Sequence, residues 1–299
     1  MTGRRPADVG LCVVPYDSAL LDTRMGAGPR HLVAAGLRER LESCGHVVSQ
    51  REIHPPGGEL RAEIATAFAL NRGVAGEVAA IRARGAFPIT LAGNCNTAVG
   101  TIAGVARAGA AGAEPIGVLW LDAHGHFNTP ETTVGGFLDG MALAMVTGRC
   151  WSGLAASVPG FTPVPEQNVI LVGGRDLDVR EAELLSSSAI THLMYDTVAQ
   201  RLPACIDALS RRVRRLYVHV DLDVLDASEG RANALAGSPG LTLLELLDVL
   251  ELAASRIPLA AAAITAYDPS CDVSGSVARA ALNVAERIAA LAWRTHDAT

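Results

Sequence analysis

Three short stretches of this 299-residue chain set chemistry-bearing side chains at the ends of apolar runs. LDAHGHFNTP (121–130) follows the run IGVLW and carries Asp122, His124 and His126 at every second position. LYVHVDLDV (216–224) ends in Asp221 and Asp223, and LAGNCN (91–96) brings Cys95 to the end of another run. Residues two apart in a strand point to the same face, so Asp221 and Asp223 are expected side by side. Paired carboxylates in an apolar run are costly unless positive charge neutralises them. No lysine or arginine lies within LYVHVDLDV. A divalent cation is the economical counter-charge, with Asp122 and His124 completing its shell from a neighbouring strand.

Each element alone has a plainer reading. An aspartate at a strand end caps a following helix, and a lone buried cysteine fills core space. An Asp-x-Asp pair also resembles the magnesium pair of nucleotide-sugar transferases or the nucleophile motif of haloacid-type phosphatases. It is the conjunction that favours one site.

The elements that must position these residues recur along the chain. VGLCVVPY (9–16), AFPITLAG (86–93), IGVLWLDA (116–123), NVILVGG (168–174), LYVHVDLDV (216–224) and LAAAAITAYD (259–268) read as strands. Between them, RGVAGEVAAIRARG (72–85), GLTLLELLDVLELAASRI (240–257) and GSVARAALNVAERIAALAWR (275–294) show helical spacing. Apolar strands alternating with helices predict a parallel sheet covered on both faces. Nothing resembling a linker interrupts the pattern, so a single domain over 1–299 is expected. Ligands of open α/β sheets bind beyond the carboxyl ends of the strands. Polar residues gather at those ends, including Arg175, Asp176 and Asp178 after NVILVGG, Asp226 after LYVHVDLDV, and Asp268.

Composition narrows the partners. A net charge of −6 gives no reason to expect nucleic acid or an anionic membrane, and no continuous apolar run reaches the ~18–20 residues of a membrane span. The opening MTGRRPADVG lacks the apolar core of a signal peptide. Six scattered cysteines without a CxxC pair do not resemble a disulfide framework. Apart from Cys95 they are expected to be structural, and a reduced cytoplasm is the expected compartment. The basic cluster RRVRR (211–215) reads as a solvated helix end, with an anion or inter-subunit contact as the alternative.

In order along the chain, these motifs resemble those of the arginase/agmatinase/formiminoglutamase family of ureohydrolases. LAGNCNTAVG stands where the family has a GGDH turn, WLDAHGHFNTP where it has DAHxD, HVDLDVLDAS where it has FDxD, and TAYDPSCD where it has E-x-N/S-P. PYDSALLDTRMGAGPRHLVAAGL and VILVGGRDLDVRE extend the likeness over essentially the whole chain. The resemblance implies a three-layer αβα domain around a mostly parallel sheet. It also implies two manganese ions bridged by a hydroxide that attacks a guanidino carbon. Asp122 and Asp221 would bridge the metals, and His124 and Asp223 would complete the second. Trimers or hexamers are usual in the family, so a homo-oligomer is expected.

Two ligand positions depart from the family pattern. Cys95 replaces the histidine of GGDH, and His126 replaces the last aspartate of DAHxD. Both belong to the first metal. A Cys95 thiolate with Asp122, Asp221 and Asp223 carries the same −4 as the family's four aspartates, so the swaps compensate and His126 is expected to be a ligand. Sulfur and imidazole make a softer shell, suited to zinc, cobalt or iron, with manganese at the harder second position. The proton-shuttling histidine of the family falls at Asp139, a proton carrier or a solvated loop residue. Its guanidinium-gripping glutamate falls at Ala266, and a serine that faces the amino-acid end falls at Gly135. Asn128 and Asp178 match the family's contacts to the substrate carboxylate and α-amino group. The expected substrate is an amino-acid-like guanidino or amidino compound with a modified reactive end rather than plain arginine. Two competing readings remain. One is a non-catalytic metal-binding or regulatory relative; the other is a metal-dependent deacylase, for which the His-His pair before a catalytic metal is missing.

Overall fold

Runs of valine, leucine, isoleucine and alanine become strands buried on both faces. In the computed structural model, which describes residues 8–57, 62–108 and 114–296, the strands are β1 (Val9–Val14), β2 (Tyr16–Asp17), β3 (Leu20–Leu21), β4 (Val48–Glu52), β5 (Phe87–Ala92), β6 (Ile116–His124), β7 (Val169–Asp176), β8 (Thr191–Leu193), β9 (Arg215–Asp221) and β10 (Leu259–Thr265). The helices are α1 (Gly28–Ala34), α2 (Leu37–Ser43), α3 (Glu63–Ala83), α4 (Ala98–Arg107), α5 (Ala142–Val146), α6 (Ser152–Ala156), α7 (Val179–Ser186), α8 (Val198–Ser210), α9 (Leu243–Ala254) and α10 (Ser276–His296). Residues 1–7, most of the opening MTGRRPADVG, lie outside the described residues.

Strands β2 and β3 form a small antiparallel pair. The other eight make one sheet in the order β4-β1-β5-β10-β9-β6-β7-β8, paired in parallel throughout. Period-two alternation sorts the core. Leu11, Ile89, Leu119, Val218 and Ile264 face α1, α2 and α8 to α10, while Cys12, Val118, Trp120, Tyr217 and Ala263 face α3 to α5. This is the three-layer αβα arrangement expected from the sequence. Alanines on β10 leave room for α4, and Gly104 lets that helix close on α3, where a Cβ would stand 2.5 Å from Val78.

The differences from the sequence reading have physical causes. β4 (VSQRE) and β8 are short, polar-faced edge strands with no apolar run to mark them. The helix expected over 72–85 begins at Glu63, because the stretch from Thr66 to Asn71 is buried all round and shows no amphipathic period. That helix is long and apolar enough to cross a membrane by length and composition, yet most of it is buried in this core. Cys44 is exposed rather than packed. In the basic cluster, Arg212 donates to the Gln167 carbonyl at 2.6 Å and Arg215 pairs with Glu114 at 2.6 Å.

One difference matters for chemistry. β9 ends at Asp221, and Asp223 lies in a 3-10 turn over Leu222–Val224 rather than in the strand. The Asp221 carboxylate accepts from the Asp223 N–H at 2.9 Å and closes that turn. The two aspartates therefore converge through a turn, not by the strand alternation expected above.

Candidate metal centre

Register places the site. Ala92 of β5, Thr265 of β10 and Asp221 of β9 pair side by side at the carboxyl edge. On β6, Trp120 pairs with His219 of β9, so Asp122 and Asp221, each two residues further on, share a face and a row. Cys95 joins this row from the turn that opens α4. Gly173 on β7 takes a left-handed backbone (φ 102°), and a Cβ there would stand 2.0 Å from the Asp122 carbonyl oxygen, so only glycine lets β7 approach the Asp122 backbone this closely.

Two overlapping donor clusters result. Ligand atoms of Cys95, Asp122, His126 and Asp221 lie within 4.8 Å of one another, as do those of Asp122, His124 and Asp223. These are all six residues singled out from the sequence. Asp122 is common to both clusters, and Asp221 belongs to the first.

Neighbours hold each donor. The Asp122 carboxylate accepts from Trp120 Nε1 at 3.0 Å and from the His124 N–H at 2.8 Å. His126 has a left-handed backbone (φ 48°), costing about 1–2 kcal/mol, which its carbonyl offsets by accepting from Leu143 and Ala144 at the start of α5. The His126 Nδ1–H donates to the Asp139 carbonyl at 2.6 Å, so Nε2 is the nitrogen that faces Asp122, at 3.2 Å. Asp223 accepts from the Ala123 N–H and from Asn233 Nδ2, and lies 3.2 Å from His124 Nδ1.

The charges test whether metal fits. Asp122, Asp221 and Asp223 are 0 %, 1 % and 2 % exposed, and among the described residues no lysine or arginine side chain is bonded to their carboxylates. Burial, then the Asp223 and Asp122 charges, drives the Asp221 carboxyl well above its usual range. Burial, then Asp221, Asp139 and Asp122, does the same to the Cys95 thiol. Burial opposes ionisation of Asp223, but His124 overrides it and holds that carboxyl below its usual range. The pocket carries more negative potential than its histidines balance. A carboxylate, imidazole and sulfur set so disposed fits divalent metal.

His124 makes this measurable. Burial pulls its pKa down, but Asp223 and then Asp122 prevail and push it from 6.5 up to about 12. In the metal-free chain the imidazolium therefore stabilises the fold fully below pH 6.5, and that stabilisation is lost as pH rises towards about 12. Metal taken up at His124 would have to displace this proton, so apparent affinity is expected to rise with pH. Calorimetry in two buffers of different ionisation enthalpy at pH 7 should show about one proton or more released per chain loaded; none released would contradict the assignment of His124.

The other candidates lie outside the two donor clusters. Asn128 Nδ2 donates to Asp178 at 3.0 Å, so those two stand together, and Asp178 also caps α7 in a capping box with Glu181. Asp139 is buried, not a solvated loop residue; its two carboxylate oxygens accept from the Cys95 and Asn96 N–H groups at 3.0 and 2.7 Å. Ala266 is buried with φ 62°, and its carbonyl accepts from Asn233. Apart from its two chain neighbours, Gly135 has no heavy atom within 4 Å of where its Cβ would be. Arg175 ties the Asp223 carbonyl to that of Gly237, while Asp226 and Asp268 cap turns. Asp176 is 78 % exposed. Sequence reasoning missed Trp120 and His219, although both lie two residues before a recognised aspartate and the period of two would have put them on its face.

Comparison with known proteins agrees with this architecture. The family pattern described as Arginase family matches residues 7–290. An arginase of Bacillus caldovelox is 28% identical over 291 residues, covering 92% of this chain and 95% of that relative. The native crystal structure of arginase from that organism superposes with a TM-score of 0.84 at 27% identity, covering 94% and 98% of the two chains. The formimidoylglutamase of Bacillus subtilis shares the fold, with a TM-score of 0.72 at 16% identity over 97% and 89% of the chains. With its carboxylate, imidazole and thiol side chains gathered at one sheet edge, this chain belongs to the arginase family of carbon–nitrogen bond hydrolases.

Proposed function

We propose that this chain is a binuclear-metal amidinohydrolase for an amino-acid-like substrate whose reactive end is a modified guanidine or other linear amidine. The observation that carries the reading is the pair of donor clusters sharing Asp122. Cys95, Asp122, His126 and Asp221 would hold the first ion, and Asp122, His124 and Asp223 the second. When bound, two divalent ions would supply an acidified water as the nucleophile.

The remaining steps belong to the chain. The His126 Nδ1–H bond to the Asp139 carbonyl keeps Nε2 aimed inward. Trp120 Nε1 and the His124 N–H orient the shared Asp122 carboxylate. Asn128 and Asp178, 3.0 Å apart, offer a donor and an acceptor for the amino-acid end. At Ala266 there is no carboxylate to grip a plain guanidinium, which supports a substituted or less cationic head group. We read Asp139 as the anchor of the Cys95 turn.

Elemental analysis of protein purified with and without added manganese, followed by turnover on a panel of guanidino and amidino acids, tests this. Two ions per chain and a preference of at least about 10²-fold in kcat/KM for a modified amidine over arginine are expected, on the order of 3 kcal/mol. Fewer than one ion after loading would sink the metal reading. Two ions with arginine as the best substrate would sink only the substrate assignment.

A further inference from the structure

Behind the first donor cluster runs a buried chain of polar side chains that the mechanism does not use. Tyr217 OH lies 2.8 Å from His219 Nδ1, His219 Nε2 lies 3.2 Å from Thr265 Oγ1, and Thr265 Oγ1 lies 3.2 Å from Cys95 Sγ. All four residues are 0–1 % exposed. The imidazole also stacks on Trp120, with ring centroids 3.7 Å apart and planes 13° apart. Two ligands of the first cluster thus rest on groups that touch His219: Cys95 through Thr265, and Asp122 through Trp120.

The direction of the chain follows from satisfaction of its donors. The Tyr217 hydroxyl has His219 as its hydrogen-bond partner among the described residues, and a buried O–H left undonated costs about 1–3 kcal/mol. Its proton therefore goes to Nδ1. A neutral imidazole then carries hydrogen on Nε2 and donates to Thr265 Oγ1. That leaves the threonine hydroxyl to donate onward. Its acceptors are Cys95 Sγ at 3.2 Å and, at a longer 3.4 Å, the Val220 carbonyl.

Resting on the metal assignment above, we propose that His219 and Thr265 are positioning residues that present Cys95 as a sulfur ligand, the threonine hydroxyl donating to its sulfur. Residues that orient metal ligands commonly change affinity by about 10–100-fold when lost. A hydroxyl donor to sulfur is also expected to alter the sulfur-to-metal charge-transfer absorption.

Cobalt(II) is the probe, read by its sulfur-to-cobalt charge-transfer band and by chelator competition. Thr265→Val, nearly isosteric, is expected to weaken cobalt at the Cys95 position by roughly 10–100-fold and to shift the band. The His124 and Asp223 position should fill as in the wild type. Thr265→Ser should restore both readouts. His219→Phe, which keeps a ring against Trp120, should change them in the same direction as Thr265→Val. An unchanged band and affinity in Thr265→Val would overturn the proposal. So would a wild type that binds two cobalt ions without any sulfur band, which leaves the binuclear reading standing. A wild type that takes up less than one cobalt per chain would overturn both.

Discussion

Asp122→Asn is expected to abolish binding at both metal positions and to lower turnover by at least about 10³-fold, on the order of 4 kcal/mol of transition-state stabilisation. Asp122 is the one donor common to both clusters. The substitution removes its charge and one acceptor oxygen, so either Trp120 Nε1 or the His124 N–H loses its partner. Elemental analysis should find less than one ion per chain. Thermal unfolding supplies an independent readout. Metal at about 100 times its dissociation constant stabilises a folded chain by roughly 2.7 kcal/mol per site; the variant should show no such rise when manganese is added. Asp223→Asn is the contrast. It touches the second cluster alone and should leave one ion bound beside Cys95. Two ions retained in Asp122→Asn would refute a shared carboxylate.

Replacement of Asp139 has the next largest expected effect and separates two roles for one carboxylate. As an anchor, its oxygens satisfy the N–H groups of Cys95 and Asn96 in a buried turn. Asp139→Ala leaves both without an acceptor, which is expected to destabilise the fold by about 2–5 kcal/mol and to disorder the Cys95 position. Asp139→Asn keeps one acceptor oxygen. It should recover much of that stability and hold kcat within about 10–100-fold of the wild type, with the pH profile unchanged. A proton carrier behaves otherwise: Asp139→Asn would remain stable, lose about 10²–10⁴-fold in rate, and lose the limb of the pH profile that reports this group. Burial raises the Asp139 carboxyl, which His126 and the Cys95 and Asn96 amides pull back, so such a limb would lie above the usual carboxylate range. Kinetics from about pH 5 to 9 with urea denaturation of both variants decide between the two.

Much of the site is legible along the chain because the signals behind it are local. Apolar runs buried on both faces predict parallel strands, and the parallel arrangement puts their carboxyl ends, with Asp122, His124 and Asp221, at one edge. A clash of like charges inside an apolar run predicts a cation without reference to anything distant. Even the departures, Cys95 and His126, can be interpreted from the charge they carry.

Tertiary structure alone decides what depends on register and burial across long separations. Placing β10 between β5 and β9 sets Thr265 beside Cys95, 170 residues away in sequence. The aspartate at 139 looks like a loop residue until its carboxylate meets two amides more than 40 positions earlier. His219 reads as one more polar residue in a strand until pairing with β6 lays it on Trp120. Asp223 looks like a strand residue because its neighbours are apolar, yet a hydrogen bond from its own N–H to Asp221 ends the strand and turns its carboxylate towards His124. Residue type and spacing name the donors. Which of them meet, and what holds each in place, follows from side-chain contacts that form only when distant elements pack.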